Sequence, residues 1–264
     1  MQFKHLALLT LLLSSLTSGV CAGDDSTSVL PQYDYHYSDQ IAETVVQTTA
    51  HAVANDKLLL LVLGAHWCHD SRGLASSMST PAVDQVVQSR FETLFIDVAY
   101  YRDVRWLTEQ YGYPGYFATP SVMVINPKTN QLLNMQSMAM WNTAHDVALE
   151  DVEDYFATIG ANSENAKRDA DKTYLYLQVE GFAKRETARL FAAFRIIGPL
   201  MQQAIEDELE DETYLVEVAE AAYDFRMTLQ KDIHALYAQV DEGDSSLHLN
   251  FPQYPEMVWE VASE

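Results

Sequence analysis

The fold of this chain is decided by the stretch LLLLVLGAHWCHDS, which runs from residue 58 to residue 71. Residues 57–64 are almost entirely apolar, which is typical of a strand buried on both faces in the middle of a sheet. Cys68 follows at the point where the pattern changes to that of a helix. Unpaired backbone N–H groups at a helix start favour the thiolate, so a nucleophilic, partly exposed cysteine is predicted. The flanking Trp67 and His69-Asp70 disfavour an inert buried cysteine.

Helices and strands alternate on both sides of this stretch. The apolar spacing predicts strands over residues 57–64, 91–99, 121–125 and 131–136. It predicts helices over residues 40–55, 68–89 with a bend near Pro81, 104–111 and 143–159. Strands joined by crossover helices form a sheet that helices cover on both faces. The order of elements therefore predicts an α/β domain over residues 38–160.

Three features of this region resemble the thioredoxin family. They are the motif Trp67-Cys68-x-x-Ser71, the dipeptide Thr119-Pro120 before a strand, and the apolar strand that leads into the cysteine. The resemblance implies a thioredoxin-like fold, a central mixed sheet flanked by helices. It also implies a cis peptide bond at Thr119-Pro120, facing the Cys68 sulfur and leaving nearby backbone groups free to pair with an extended substrate. The alternative is an ordinary trans proline at the start of a strand.

Two positions depart from the family pattern. Ser71 stands where a disulfide-exchanging thioredoxin has its second cysteine, and Val62 stands where many thioredoxins have a buried acid. Without a resolving thiol in the chain, a mixed disulfide at Cys68 is released only by an outside thiol or by a second cysteine of the client. The resemblance therefore implies monothiol exchange, as in isomerisation, glutathione-dependent reduction or client capture.

In this interpretation Cys68 is the nucleophile and Ser71 assists its thiolate by hydrogen bonding. Five residues would shape the site: Trp67, His69, Asp70, Thr119 and Pro120. The expected partner is a client protein or a low-molecular-weight thiol or disulfide, and no cofactor is expected. The alternative is a binding or chaperone-like module that kept the scaffold without catalysis.

An aromatic loop, residues 111–117, leads directly into Thr119-Pro120. Its side chains Tyr113, Tyr116 and Phe117 are candidates for a groove that grips an extended client, since aromatic residues bury much area at low entropy cost. The alternative is that they pack against the helices that follow. The sequence leaves these two interpretations equally open.

Four residues that could ligate a metal lie close together before and after the cysteine: His66, Cys68, His69 and Asp70. Structural zinc sites use spaced pairs of ligands, whereas Cys68 and His69 are adjacent. Their side chains would also diverge around the start of the helix. The sequence therefore predicts no metal site at this motif.

Residues 1–22 have the pattern of a secretory signal peptide. Lys4 supplies the positive start, residues 6–13 the apolar stretch and Val20-Cys21-Ala22 a small-residue cleavage site. The less favoured alternative is lipid attachment at Cys21. Cleavage would leave Cys68 as the sole cysteine and exclude an internal disulfide. The pattern predicts export, most simply to a bacterial periplasm, followed by a polar leader segment over residues 23–37.

Composition limits the classes of partner. The net charge is −22, from 16 Lys and Arg against 38 Asp and Glu, and it opposes binding to nucleic acid or anionic lipid. The hydrophobic fraction of 48% suffices for a packed core. Beyond the signal peptide, no segment is apolar and long enough to predict a membrane span. No pattern specifies an oligomeric state.

The sequence becomes helical after residue 160. Residues 161–242 predict a helical extension, with one helix over 163–197 that Gly198-Pro199 interrupts and a second over 212–240. Residues 243–264 predict an irregular tail. The apolar faces of the two helices must be buried, and packing on the α/β domain is favoured over an oligomerisation module.

Overall fold

The computed structural model describes residues 33–160 and 170–261. Several sequence-based predictions lie outside the described residues. These are the signal peptide at 1–22, the leader segment up to residue 32, the first part of the helical extension at 161–169, and residues 262–264 of the tail.

Four strands form one mixed sheet: β1 (Leu58–Gly64), β2 (Phe91–Asp97), β3 (Ser121–Asn126) and β4 (Gln131–Leu132). Their order is β2-β1-β3-β4, with β1 parallel to β2 and antiparallel to β3, and with β4 antiparallel to β3. The apolar strand β1 is therefore central. β4 is shorter than predicted because the Asn134 side chain turns back to β3. It accepts a hydrogen bond from Val124 N (2.9 Å) and donates one to Val122 O (2.8 Å).

Five helices belong to this region: α1 (Ile41–Ala54), α2 (His69–Met78), α3 (Pro81–Arg90), α4 (Arg105–Thr108) and α5 (Leu149–Thr158). The single bent helix expected over 68–89 is wrong. Two helices replace it, because Pro81 has no N–H to continue α2 and instead begins α3. The helix expected from residue 143 begins only at Leu149. A 3-10 segment (Met135–Asp146), kinked at Thr143, precedes it.

Successive side chains of a strand point to opposite faces of the sheet, so the hydrophobic core is divided into two clusters, one on each face. Leu60 and Val62 of β1 pack with buried side chains of α2, α3 and α5. The remaining buried leucines of β1 face the other way, toward α1 and the C-terminal helices. Helices thus cover both faces of a mixed sheet whose central strand leads into α2. This is a thioredoxin-like α/β fold with a long C-terminal helical part.

The C-terminal part is an antiparallel pair, α6 (Thr173–Ile205) and α7 (Thr213–Glu242). The interruption expected at Gly198-Pro199 is wrong, since α6 runs through both residues. Gly198 is needed there for packing: a Cβ at this position would lie 2.2 Å from the Tyr100 carbonyl oxygen.

The tail after α7 is irregular up to a short helix, α8 (Val258–Val261), and it packs back on α6. The Arg189 guanidinium of α6 donates to both carboxylate oxygens of Glu260, at 2.6 and 2.7 Å. The indole N–H of Trp259, which is buried, donates to the Arg189 carbonyl oxygen at 3.1 Å. The tail is therefore attached to the helical pair by charge-assisted hydrogen bonds.

Candidate active site

Cys68 occupies the N-cap position of α2, directly after the loop that leaves β1. It carries a free thiol and is partly exposed. Its Sγ atom lies 2.9 Å from the carbonyl oxygen of Thr119, which accepts the S–H hydrogen bond. The Thr119-Pro120 peptide bond is cis, and both residues are buried. The fold thus brings Cys68 and Thr119-Pro120 together from positions about fifty residues apart.

Ser71 lies one turn into α2 and is fully buried. Its hydroxyl oxygen accepts a hydrogen bond from the Ala65 N–H at 3.3 Å, and its carbonyl oxygen accepts one from the Tyr35 hydroxyl, also at 3.3 Å. The described partner of the Ser71 side chain is therefore the loop before Cys68, not the sulfur itself. In this structure Ser71 holds the loop that positions Cys68.

Trp67 forms one wall of the site with the loop that follows β2. Its indole N–H donates to the Ala99 carbonyl oxygen at 2.7 Å, and its ring lies 5.2 Å from the Tyr101 ring. Ala99 and Tyr101 both have left-handed backbone conformations, with φ of 45° and 63°, which are costly for residues other than glycine. The Trp67 hydrogen bond helps to hold this strained loop beside the cysteine.

The C-terminal helices support the same wall. The Tyr101 ring stacks on Phe194 of α6 at 4.4 Å. Burial raises the pKa of the Tyr101 hydroxyl, and the neighbouring Arg226 guanidinium of α7 opposes that shift. The Nε atom of Arg226 is buried without a hydrogen-bond partner among the described residues. Neither Tyr101 nor Arg226 belongs to a sequence motif, so sequence reasoning missed both.

His69 and Asp70 meet a third residue, His145, from the 3-10 segment. The ring centroids of His69 and His145 lie 3.7 Å apart, and the Asp70 carboxylate accepts a hydrogen bond from the backbone N–H of His145 at 3.0 Å. Gly73 permits this approach, because a Cβ there would lie 2.8 Å from the His145 Cα. The 3-10 segment therefore also holds the first turn of α2 in place.

The aromatic loop does not supply a client groove. Tyr113, Tyr116 and Phe117 have exposed fractions of 1%, 0% and 0%. The Tyr116 ring lies 5.2 Å from Phe191 and 5.7 Å from Phe194, both on α6. The prediction that these side chains contact a client is wrong for this structure, because the C-terminal helices cover them. The packing alternative describes all three.

The metal-ligating side chains grouped with His66 are not those of Cys68, His69 and Asp70. The Nε2 atom of His66 is 3.5 Å from the Asp34 carboxylate, which also lies 3.6 Å from Nε2 of His36. Of the described residues, these three form the group of histidine, cysteine and acidic side chains that could hold a metal ion. Sequence reasoning considered His66 but missed its partners, because both lie about thirty residues earlier in the chain.

Two further observations describe the surroundings of the site. Over residues 33–160 and 170–261, no helix combines the length and apolar character that a membrane span requires. A surface cleft of about 530 Å³ runs along the edge strand β2 and is lined in part by Asp34, His36 and Phe95. Cys68 does not line this cleft.

Fold and site together define a class: a protein of thioredoxin-like fold with a single, partly exposed cysteine at the first turn of the helix after the central strand. No protein-family model matches the sequence, and no curated protein matches it. The structure is similar to the crystal structure of a disulphide isomerase from Xylella fastidiosa Temecula1, with 25% sequence identity and a TM-score of 0.42. The match covers 47% of this chain and 95% of that one.

Proposed function

We propose that this protein carries out thiol–disulfide exchange through Cys68 alone. One observation carries the proposal: the Cys68 thiol is partly exposed at the N-cap of α2 and lies 2.9 Å from the Thr119 carbonyl oxygen. A helix start favours a reactive thiolate, and partial exposure admits a disulfide. Trp67, Tyr101 and His145 hold the surrounding backbone, so the sulfur is presented in a fixed geometry.

The chemistry has two exchange steps. The Cys68 thiolate attacks one sulfur of a substrate disulfide, a Cys68 mixed disulfide forms, and the other substrate sulfur leaves as a thiolate that takes up a proton. A second thiolate then attacks the substrate sulfur of the mixed disulfide and releases Cys68. Ser71 cannot supply that second thiol, because it carries a hydroxyl and is buried against Ala65. An outside thiol, or a second cysteine of the client, performs the release.

A low-molecular-weight thiol or disulfide, or a client cysteine on a short segment, fits this site better than a long apolar client. The aromatic side chains that would grip such a client are buried under α6. The same observation weighs against the alternative of a non-catalytic chaperone-like module, since that alternative depends most on an exposed aromatic groove.

The exchange is tested in a Cys21→Ser background, where Cys68 is the only cysteine. The reduced protein is mixed with oxidised glutathione, and the mixed disulfide is followed by intact mass. Its release is then followed after addition of reduced glutathione. The matched control is Cys68→Ser combined with Ser76→Cys, which moves the thiol to an exposed position in the last turn of α2. We expect Cys68 to react at least about tenfold faster than the relocated thiol. Equal rates would contradict the proposal.

Ser71→Cys tests whether the absence of a resolving thiol is what limits the protein to exchange through one thiol. In the same background, we expect this variant to form an internal disulfide with Cys68 and to reduce insulin, and we expect the parent to do neither. Ser71→Ala is the control, because it removes the hydroxyl without adding a thiol. A folded Ser71→Cys protein whose two thiols both stay free under oxidising conditions would show that the site does not support dithiol exchange.

We propose in addition that residues 1–22 direct export, most simply to a bacterial periplasm. The charged start, the apolar stretch and the cleavage pattern at Val20-Cys21-Ala22 support this. Expression of the full chain in a bacterial host is expected to yield a periplasmic protein whose mass lacks residues 1–22. Uncleaved protein that stays in the cytoplasm would contradict export. A membrane-bound, lipid-modified product would instead indicate attachment at Cys21.

A further inference from the structure

Three side chains with metal-ligating atoms meet beside the loop that leads into Cys68. They are Asp34 and His36 of the leader segment and His66 of the β1–α2 loop. One ligand atom from each lies within 4.8 Å of the other two. The two histidines are exposed and Asp34 is partly exposed, so an ion can reach them from solvent.

The arrangement follows from how the leader segment is anchored. Tyr33 and Tyr35 face inward: the Tyr33 ring lies 5.6 Å from Phe95, and the buried Tyr35 lies 4.9 Å from the same ring. In an extended segment, alternate side chains point to opposite sides. Asp34 and His36 therefore share the outward side. The hydroxyl of Tyr35 donates to the Ser71 carbonyl oxygen, which fixes the segment against the start of α2.

The distances suit metal ligands better than a hydrogen-bonded ion pair. His66 Nε2 is 3.5 Å from Asp34 Oδ1, and His36 Nε2 is 3.6 Å from Asp34 Oδ2. Both exceed the usual range of about 2.7–3.2 Å for an N–H···O hydrogen bond. A tetrahedral ion with ligands at about 2.0–2.1 Å requires ligand atoms about 3.3–3.5 Å apart. One ligand atom from each residue lies within 4.8 Å of the others, and rotation of the two exposed imidazoles would close the remaining difference.

We propose that Asp34, His36 and His66 bind one divalent transition-metal ion of the zinc class. Imidazole nitrogen and carboxylate oxygen are established zinc ligands, and three of them leave a fourth coordination position open. Asp34 and His36 also line the cleft along β2, which gives room for water or for a donor atom of a bound molecule at that position. The net charge of −22 raises the local concentration of cations around the protein.

The bound ion has a structural consequence near the cysteine. It links the leader segment to His66, two residues before Cys68. Binding of the ion stabilises the folded state by mass action, because the three ligands are brought together only in the folded chain. The site is independent of the exchange chemistry proposed for Cys68, whose thiol donates its hydrogen bond to the Thr119 carbonyl oxygen instead.

The test uses the full chain without a polyhistidine tag, in a Cys21→Ser and Cys68→Ser background, so that no thiol contributes. Isothermal titration of metal-free protein with Zn²⁺ is expected to show one site. Co²⁺ is expected to give the visible absorption of a tetrahedral complex. Zn²⁺ should also raise the thermal unfolding temperature. The variants His36→Ala, His66→Ala and Asp34→Asn should each weaken Zn²⁺ binding at least about tenfold and remove most of the thermal shift.

The matched control is His248→Ala, which removes an exposed histidine elsewhere and should leave binding unchanged. Far-UV circular dichroism checks that each variant is folded, which we expect because the substituted positions are exposed or partly exposed. Unchanged Zn²⁺ affinity in the three ligand variants would overturn the proposal. So would an equal loss in the His248 variant, or one-site binding that exists only when Cys68 is restored. The last outcome would place the metal at the Cys68 thiol. The proposed thiol–disulfide exchange would still be tested separately, by the glutathione experiment that compares Cys68 with the thiol at position 76.

Discussion

Two aromatic segments lie on either side of the Cys68 loop, and they differ in how far their side chains are buried. The aromatic loop (residues 111–117) is buried under α6 and α7, with Tyr113 and Tyr116 almost inaccessible. The leader segment (described from Tyr33 to Tyr37) buries Tyr35 but leaves Tyr37 with an exposed fraction of 59%. Similar composition thus gives one segment that belongs to the core and one that is anchored through Tyr33 and Tyr35 but exposed at Tyr37. What differs is whether an apolar helix is available to cover the segment.

The largest effect should come from truncating the buried segment. Tyr116→Ala removes a fully buried ring and the hydrogen bond that its hydroxyl donates to the Arg102 carbonyl oxygen at 2.9 Å. Because α6 cannot collapse into the cavity, we expect the free energy of unfolding to fall by about 4 kcal/mol. Urea unfolding followed by circular dichroism measures it. Tyr174→Ala, at a position 73% exposed, is the control and should change stability by less than about 0.5 kcal/mol.

The second effect is a pH dependence that arises where α7 seals the aromatic loop. His234 is buried, its Nε2 atom lies 3.2 Å from the Tyr113 hydroxyl, and burial lowers its pKa to about 4. Gln230 donates to the same hydroxyl at 3.1 Å, which leaves the hydroxyl proton for the neutral imidazole. An unfolded histidine keeps its ordinary pKa near 6.5.

The sign follows from proton binding by the two states. Above pH 6.5, His234 is neutral in both the folded and the unfolded state. As the pH falls from 6.5 to 4, the imidazole binds a proton in the unfolded state but not in the folded state. The free energy of unfolding should therefore fall by about 3 kcal/mol over that range because of this group. Comparing the wild type with His234→Gln at pH 7 and pH 4 isolates the contribution, since the carboxylates are common to both. A difference that does not change with pH would contradict it.

Much of the fold was open to prediction, because local composition settles it. The apolar run over residues 57–64 predicted the central strand β1. The alternation of strands with crossover helices predicted a sheet that helices cover on both faces. Two of the boundaries that failed depend on contacts outside the local segment. Asn134 ends β4 early through its bonds to β3, and α6 continues through Gly198-Pro199 because Tyr100 packs against Gly198. No local pattern reports either contact.

The site divides in the same way. Cys68 and Thr119-Pro120 were found from their residue types, and the structure brings them together. Tyr101 and His145 were missed, because nothing in the neighbouring sequence marks a loop strained beside Trp67 or a 3-10 turn that reaches α2. The fate of the aromatic loop could not be decided, since it depends on α6 folding back over it. The sequence therefore identifies the reactive sulfur better than it identifies the residues that surround it.

An intermediate effect tests how the leader segment is locked. A Cβ at Gly64 would lie 2.4 Å from the Tyr35 ring and 2.7 Å from the Ser71 hydroxyl oxygen. Gly64→Ala must displace the ring or the loop before Cys68, so we expect a loss of about 2 kcal/mol in the free energy of unfolding. Gly181→Ala on α6 is the matched control. A Cβ there meets nothing within 4 Å, so helix propensity should raise stability by up to about 1 kcal/mol. Equal losses in both variants would mean that Tyr35 does not anchor the leader.

The smallest effect belongs to the exposed end of the leader, and it limits how far the anchoring extends. The Tyr37 ring lies 5.2 Å from the Arg102 guanidinium, and its hydroxyl donates to the Asp39 carboxylate at 2.9 Å. Both contacts are solvated, and a cation–π pair at an exposed site contributes about 0.5–1 kcal/mol. Tyr37→Ala should therefore lower the free energy of unfolding by only about 0.5 kcal/mol in urea titrations. A loss as large as that of Gly64→Ala would show that the leader is held along its whole length, and its contrast with the aromatic loop would then be one of solvent exposure rather than of attachment.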